Sequence, residues 1–189
     1  MNGRSKSRFR AIGALAALTM VSLAACERPS AKQSVDTILK ESGKSRSDVF
    51  PLAGRITIDS QPPQAGGLRQ PRVTLVLFPE SKLDAPLDGL PKATCEPNGE
   101  FSFSTYDRGD GVAPGKYVLA IVELKFDKRK GYSGKDLLKN LYNDPDQNLK
   151  NPELVIDHHA PGKKDYAIDL KLAGREAASP GPHSVLTMH

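Results

Sequence analysis

From residue 52 to residue 172 the chain is cut into short stretches in which apolar and polar positions alternate, separated by turns rich in Pro and Gly. Alternation with a period of two belongs to strands buried on one face. Residues 52–59 set Ile56 and Ile58 against Arg55, Thr57 and Asp59. Residues 72–78 set Val73, Leu75 and Leu77 against Thr74 and Val76, and Pro79 ends the run. Residues 93–96 and 100–104 flank Pro97-Asn98-Gly99. Asn-Gly favours the positive φ of a tight turn, so the pair predicts a hairpin with Phe101 and Phe103 inward. Residues 116–124 are apolar on both faces, as a central strand requires. Residues 154–157 and 166–172 complete a set of seven strands, the last with Ile168, Leu170 and Leu172 inward. Ser133 and Asp136 are spaced like a capping box and predict one short helix over 133–143, stopped by Asn143-Asp144-Pro145. Seven short strands with turns between them predict an all-β, Greek-key β-sandwich over residues 51–172.

The chain has a different grain outside that span. Arg4, Lys6, Arg8 and Arg10 precede an uncharged apolar run over residues 11–25. A basic segment followed by such a run has the layout of a signal peptide, residues 1–25. The run is shorter than the roughly 20 residues that span a bilayer. Leu23-Ala24-Ala25-Cys26 at its end resembles the bacterial lipobox. The resemblance implies that Cys26 is lipidated, with palmitate among its acyl groups, and becomes the first mature residue. The protein is then expected to be exported and held on a bacterial envelope membrane, at the outer membrane or the periplasmic face. Residues 26–50 are polar and read as a flexible tether; as a coil they would hold the domain about 25–30 Å from the anchor. A short docked helix from Ser34 to Glu41, with Val35, Ile38 and Leu39 on its apolar face, is the alternative. Residues 173–189 contain Ser179-Pro180-Gly181-Pro182 and read as a disordered tail.

Composition changes this picture in three places. The formal charge of +5 contains the four cations of the signal segment, which has no acid, so the mature chain keeps 23 basic against 22 acidic residues, a net +1. That excludes the general basicity of a nucleic-acid partner. Gly and Pro supply 31 of 189 residues, above the usual share of about 12%, in keeping with a turn-rich chain. With Cys26 acylated, Cys95 has no disulfide partner; it lies in an expected strand and reads as a small buried hydrophobe.

The turn chemistry resembles a known domain type. Asn98-Gly99-Glu100-Phe101-Ser102-Phe103, then Asp110-Gly111-Val112-Ala113-Pro114-Gly115-Lys116-Tyr117, is similar to the carboxypeptidase regulatory-like and transthyretin-like sandwich domains. Gly54-Arg55-Ile56 fits their first strand. Tyr142, Asp144-Pro145 and Pro161-Gly162-Lys163 fit the C-terminal part of bacterial lipoproteins carrying such a domain. Tyr117 is expected to bury its ring and reach a backbone carbonyl, as corner tyrosines do. These motifs specify turns, so they speak to fold and are nearly silent on function.

Candidate chemistry is sparse. His158 and His159 are adjacent and point to opposite faces of a strand, which disfavours one shared metal; a solvated turn is expected. Asp144, Asp146 and Asn148 space oxygens as a calcium loop does, without its central Gly or distal Glu, and read as an Asx-rich turn. No nucleophile motif, Cys–His pair or phosphate-cradling Gly loop is found. Two enzyme families share this sandwich, the hydroxyisourate hydrolases and the intradiol dioxygenases; the chain lacks the Tyr-Arg-Gly-Ser end of the first and the His-x-His of the second. The most basic stretch of the mature chain is Lys125, Lys128, Arg129 and Lys130 with Phe126 and Tyr132; it reads as a solvated loop or as a ligand-contact loop for anionic lipid or an acidic surface polymer. The loops at 60–71 and 79–92 are the other candidate surfaces. The expectation is a non-catalytic binding or structural module with no metal or cofactor. Its partners are the membrane through the lipid and an envelope protein or polysaccharide. The alternatives are an enzyme with an unrecognised site in this frame, or an accessory subunit of an envelope complex.

Overall fold

Strands β2 (Arg72–Pro79) and β5 (Gly115–Asp127) pair antiparallel from Arg72–Leu124 to Pro79–Tyr117 and form the centre of a five-stranded sheet. The computed structural model describes residues 36–37, 39–40, 46–63, 69–172 and 184–185. The expected signal segment, Leu23, Ala24, Ala25 and Cys26, part of the 60–71 loop and most of the expected tail lie outside the described residues. Strand β3 (Lys92–Thr94) flanks β2. The other edge of β5 is shared end to end: β7 (Val155–His158) pairs with its first four residues and β6 (Gly131–Ser133) with its last three. A smaller sheet has the order β4 (Glu100–Ser102), β1 (Leu52–Ile58), β8 (Lys163–Leu170), with β1 antiparallel to β4 and parallel to β8.

The alternation seen in the sequence places the core. Val73, Leu75, Leu77, Leu119 and Ile121 from the large sheet pack with Ile56, Phe101, Ile168 and Leu170 from the small one and with Phe103 just past β4. The second apolar face of β5 is also used: Val76, Phe78, Ala120 and Val122 form a separate cluster with Leu87 and Val185. Among the described residues the protein is therefore all-β, with two sheets, eight strands and a short helix within the domain, in a sandwich-like arrangement.

The structure departs from the sequence expectation in six respects. The expected helix over 133–143 is absent: Asp136 Oδ1 accepts N–H bonds from Glu123 at 2.9 Å and Leu138 at 3.0 Å, and Lys139 and Asn140 adopt positive φ. A side chain that satisfies the backbone in this way favours turns over helix. Helix α1 (Pro145–Asn148) instead begins where a stop was expected; Asp144 is its N-cap and Pro145 opens it, where a missing N–H costs nothing. The start of the expected helix is taken by β6, the eighth strand. The hairpin around Asn98-Gly99 keeps its turn but not its ladder. Glu96 N bonds Glu100 O at 2.8 Å and Lys92 pairs with Ser104, yet between these ties β3 joins the large sheet and β4 the small one. Two expected non-regular segments also contain structure. Asp36, Thr37, Leu39 and Lys40 of the expected tether are helical, and Ser184 and Val185 of the expected disordered tail are buried.

Candidate functional site

The basic stretch is a hairpin, not an irregular loop. Register pairs Lys125 with Ser133, Phe126 with Tyr132 and Asp127 with Gly131. The turn is closed by Asp127, whose Oδ1 accepts from Arg129 N at 2.7 Å and Lys130 N at 2.9 Å, and by Gly131 at φ 72°. Positive φ at this point is the usual demand of a three-residue hairpin loop, and glycine meets it without strain. Strand β2 pairs with β5 only as far as Leu124, so residues 125–133 project beyond it as a finger.

One face of the finger is braced. The rings of Phe126 and Tyr132 meet edge to face at 5.3 Å, and the Arg72 guanidinium lies 3.8 Å from the Tyr132 ring centroid. Both contacts are favourable geometries for aromatic and cation–π pairs. Lys125, Lys128, Arg129 and Lys130 are exposed, and no ion pair holds them among the described residues. The structure thus brings Tyr132 and the four cations onto one element. Sequence reading missed Arg72, because only the β2–β5 register brings it to Tyr132.

The other candidates resolve into structural roles. His158 is buried, not solvated as expected, with Nε2 3.2 Å from Phe50 O. His159 points outward and meets Asp157 at 2.8 Å, so the two rings do not converge. Asp144 caps α1, and Asn148 is buried with Nδ2 donating to Leu119 O at 2.8 Å and Tyr142 O at 2.7 Å. No group of three His, Cys, Asp or Glu converges as a metal site among the described residues. Cys95 is buried, as expected. Burial first, then the charges of Glu96 and Glu123, push its thiol up to about 12. The Tyr117 ring is buried and its hydroxyl donates to Ala113 O at 2.9 Å, the corner contact anticipated from the sequence. Glu123 and Asp136 neighbour each other, and burial raises both carboxyls above their ordinary range.

A cleft of about 600 Å³ opens where β3 and β4 diverge into different sheets. It is lined by Lys92, Thr94, Glu96, Glu100, Ser102 and Arg108, a mixed-charge set. Asn98 first and Arg55 second hold the Glu100 carboxyl below its ordinary range, so it stands ionised at the rim. No histidine or cysteine lines the cleft, and its carboxylates and cations alternate instead of concentrating one charge. The finger is the more polarised surface. No protein-family model, curated protein or solved structure matches the chain.

Proposed function

We propose that this chain is an exported, lipid-anchored, non-catalytic Greek-key β-sandwich of the transthyretin-like or carboxypeptidase regulatory-like type. It acts as a binding or structural module at a bacterial envelope. The observation that carries the reading is the join between two kinds of sequence: a basic and apolar leader ending in Leu23-Ala24-Ala25-Cys26, and a strand-rich domain with a cationic finger. The leader supplies address and attachment; the sandwich is a rigid frame that presents loops. Sandwich loops gather at the ends of the sheets, where they suit recognition.

The test is attachment. The full chain and its Cys26→Ser variant are expressed in a bacterium fed an alkyne analogue of palmitate. The native chain is expected in the membrane fraction and labelled. The variant is expected to lose the label and to leave the membrane fraction. Equal retention of both overturns the anchor.

A further inference from the structure

We infer that the β5–β6 finger is the binding element for a linear anionic polysaccharide. This rests on the binding-module reading above.

Charge is the first support. The mature chain nets only +1, yet residues 125–130 carry four cations against Asp127 alone. One oxygen of Asp127 is occupied by two backbone N–H groups of the turn. The cations are exposed and unpaired among the described residues, so a polyanion meets them without first breaking an ion pair.

Position is the second support. Phe50, where the chain from the anchor joins the sandwich, bonds both ways with Val112 at 2.9 Å and touches His158, which pairs with Gly115. That is the first residue of β5, and the finger turn follows its last, Asp127. Thirteen strand residues at about 3.3 Å each separate the two ends by about 40 Å. The Debye length at physiological salt is about 8 Å, so when the end that receives the tether faces the membrane, the finger tip lies outside the membrane's field.

Chemistry is the third. Phe126, Tyr132 and Arg72 are engaged with one another, and both rings are half-buried. They stiffen the finger and do not offer the open faces that nucleic-acid bases stack on. Lysine ammonium groups on flexible stems read spaced point charges. A chain of sugar acids supplies these, and binding by neutralisation of such a chain weakens steeply with salt.

The experiment uses the full-length protein in detergent micelles and fluorescently labelled alginate, read by anisotropy. The triple variant Lys128→Gln, Arg129→Gln, Lys130→Gln is expected to weaken binding at least about tenfold at low salt and to flatten the slope of log K against log salt by about 2. A control triple variant at exposed cations elsewhere, Lys82→Gln, Lys150→Gln, Lys164→Gln, is expected to bind as the native chain. The inference is overturned if the finger variant binds unchanged, or if the control loses as much. It is also overturned if the native protein prefers mixed micelles containing phosphatidylglycerol to alginate at equal anionic charge. Anchoring through Cys26 is read separately, so an anchored protein that ignores alginate sinks this inference and leaves the anchor standing.

Discussion

The Tyr142 hydroxyl donates to the carbonyl oxygen of Lys171 and accepts from the Lys171 amide, both at 2.9 Å. One side-chain oxygen thus satisfies both backbone groups of the residue following β8. It also ties the small sheet to the 136–144 segment, which bonds the edge of β5 between β7 and β6, with Ile121 N donating to Tyr142 O at 2.7 Å. Tyr142→Phe keeps the buried ring and removes both bonds. The expected cost is about 1–3 kcal/mol. Urea denaturation of both proteins measures it, and an unchanged midpoint would show that water replaces the hydroxyl at no loss.

How much of this was legible in the sequence depends on where each contact originates. Strands β1 and β2 were readable because their faces are set by residues two apart, β5 because a short run apolar on both faces suits a central strand, and the Tyr117–Ala113 bond because its partner is local. The split of β3 from β4 was not readable. Residues 92–104 carry the turn chemistry of a hairpin, and only pairing with β2 and β1 sends the two arms to different sheets. The helix was misplaced because Asp136 looks like a capping residue from its neighbours, whereas its carboxylate is claimed by Glu123 N across the fold. Strand β6 has three residues, too few for a period to show. Among the candidate surfaces, the finger's cations were visible as composition. Its rigidity was not, since Arg72 joins Tyr132 only through sheet register.

Stability is expected to vary with pH through Glu123 and Asp136. Burial, then the Asp136 charge, raises the Glu123 carboxyl from its ordinary 4.5, and burial raises Asp136 from 3.8 against the pull of three backbone N–H groups. An acid whose folded pKa is raised binds its proton more readily when folded. Stability therefore falls as pH climbs from the unfolded value through the folded one, and is level above it. Glu123→Gln is expected to remove part of that fall and to make the protein more stable than the native chain at pH 7. Denaturant midpoints across pH 3.5–7.5 test this at about half-unit steps; a variant as steep as the native chain would exclude Glu123 as a source.

Cys95 is expected to be inert while the protein is folded. The side chain is 1% exposed, its Sγ–H donates to Glu96 O at 3.3 Å, and its thiol is pushed up to about 12. Both reactive requirements, access and thiolate, are therefore missing. Maleimide labelling of the Cys26→Ser variant leaves Cys95 as the one thiol. Negligible labelling of the native state near neutral pH, and complete labelling in urea, is the expected pair of results. Fast native labelling would place Cys95 outside the core.

Val185 closes the outer apolar cluster. It is 3% exposed, packs with Val76, Phe78, Leu87, Ala120 and Val122, and its amide bonds Asn143 O at 2.9 Å. Phe78 and Ala120 lie on the face of the large sheet that the small sheet does not cover, so the segment over them substitutes for a third layer. Val185→Ala removes two methyl groups from this packing and is expected to cost about 1–2 kcal/mol. Truncation after Leu172 removes the whole residue and its hydrogen bond, so a larger loss is expected, together with new binding of a hydrophobic dye to the uncovered face. Thermal unfolding of the three chains should rank native, Val185→Ala and truncated in falling order. If the truncated chain melts with the native one, the 184–185 contact does not stabilise the fold and the 80–91 loop alone covers the sheet.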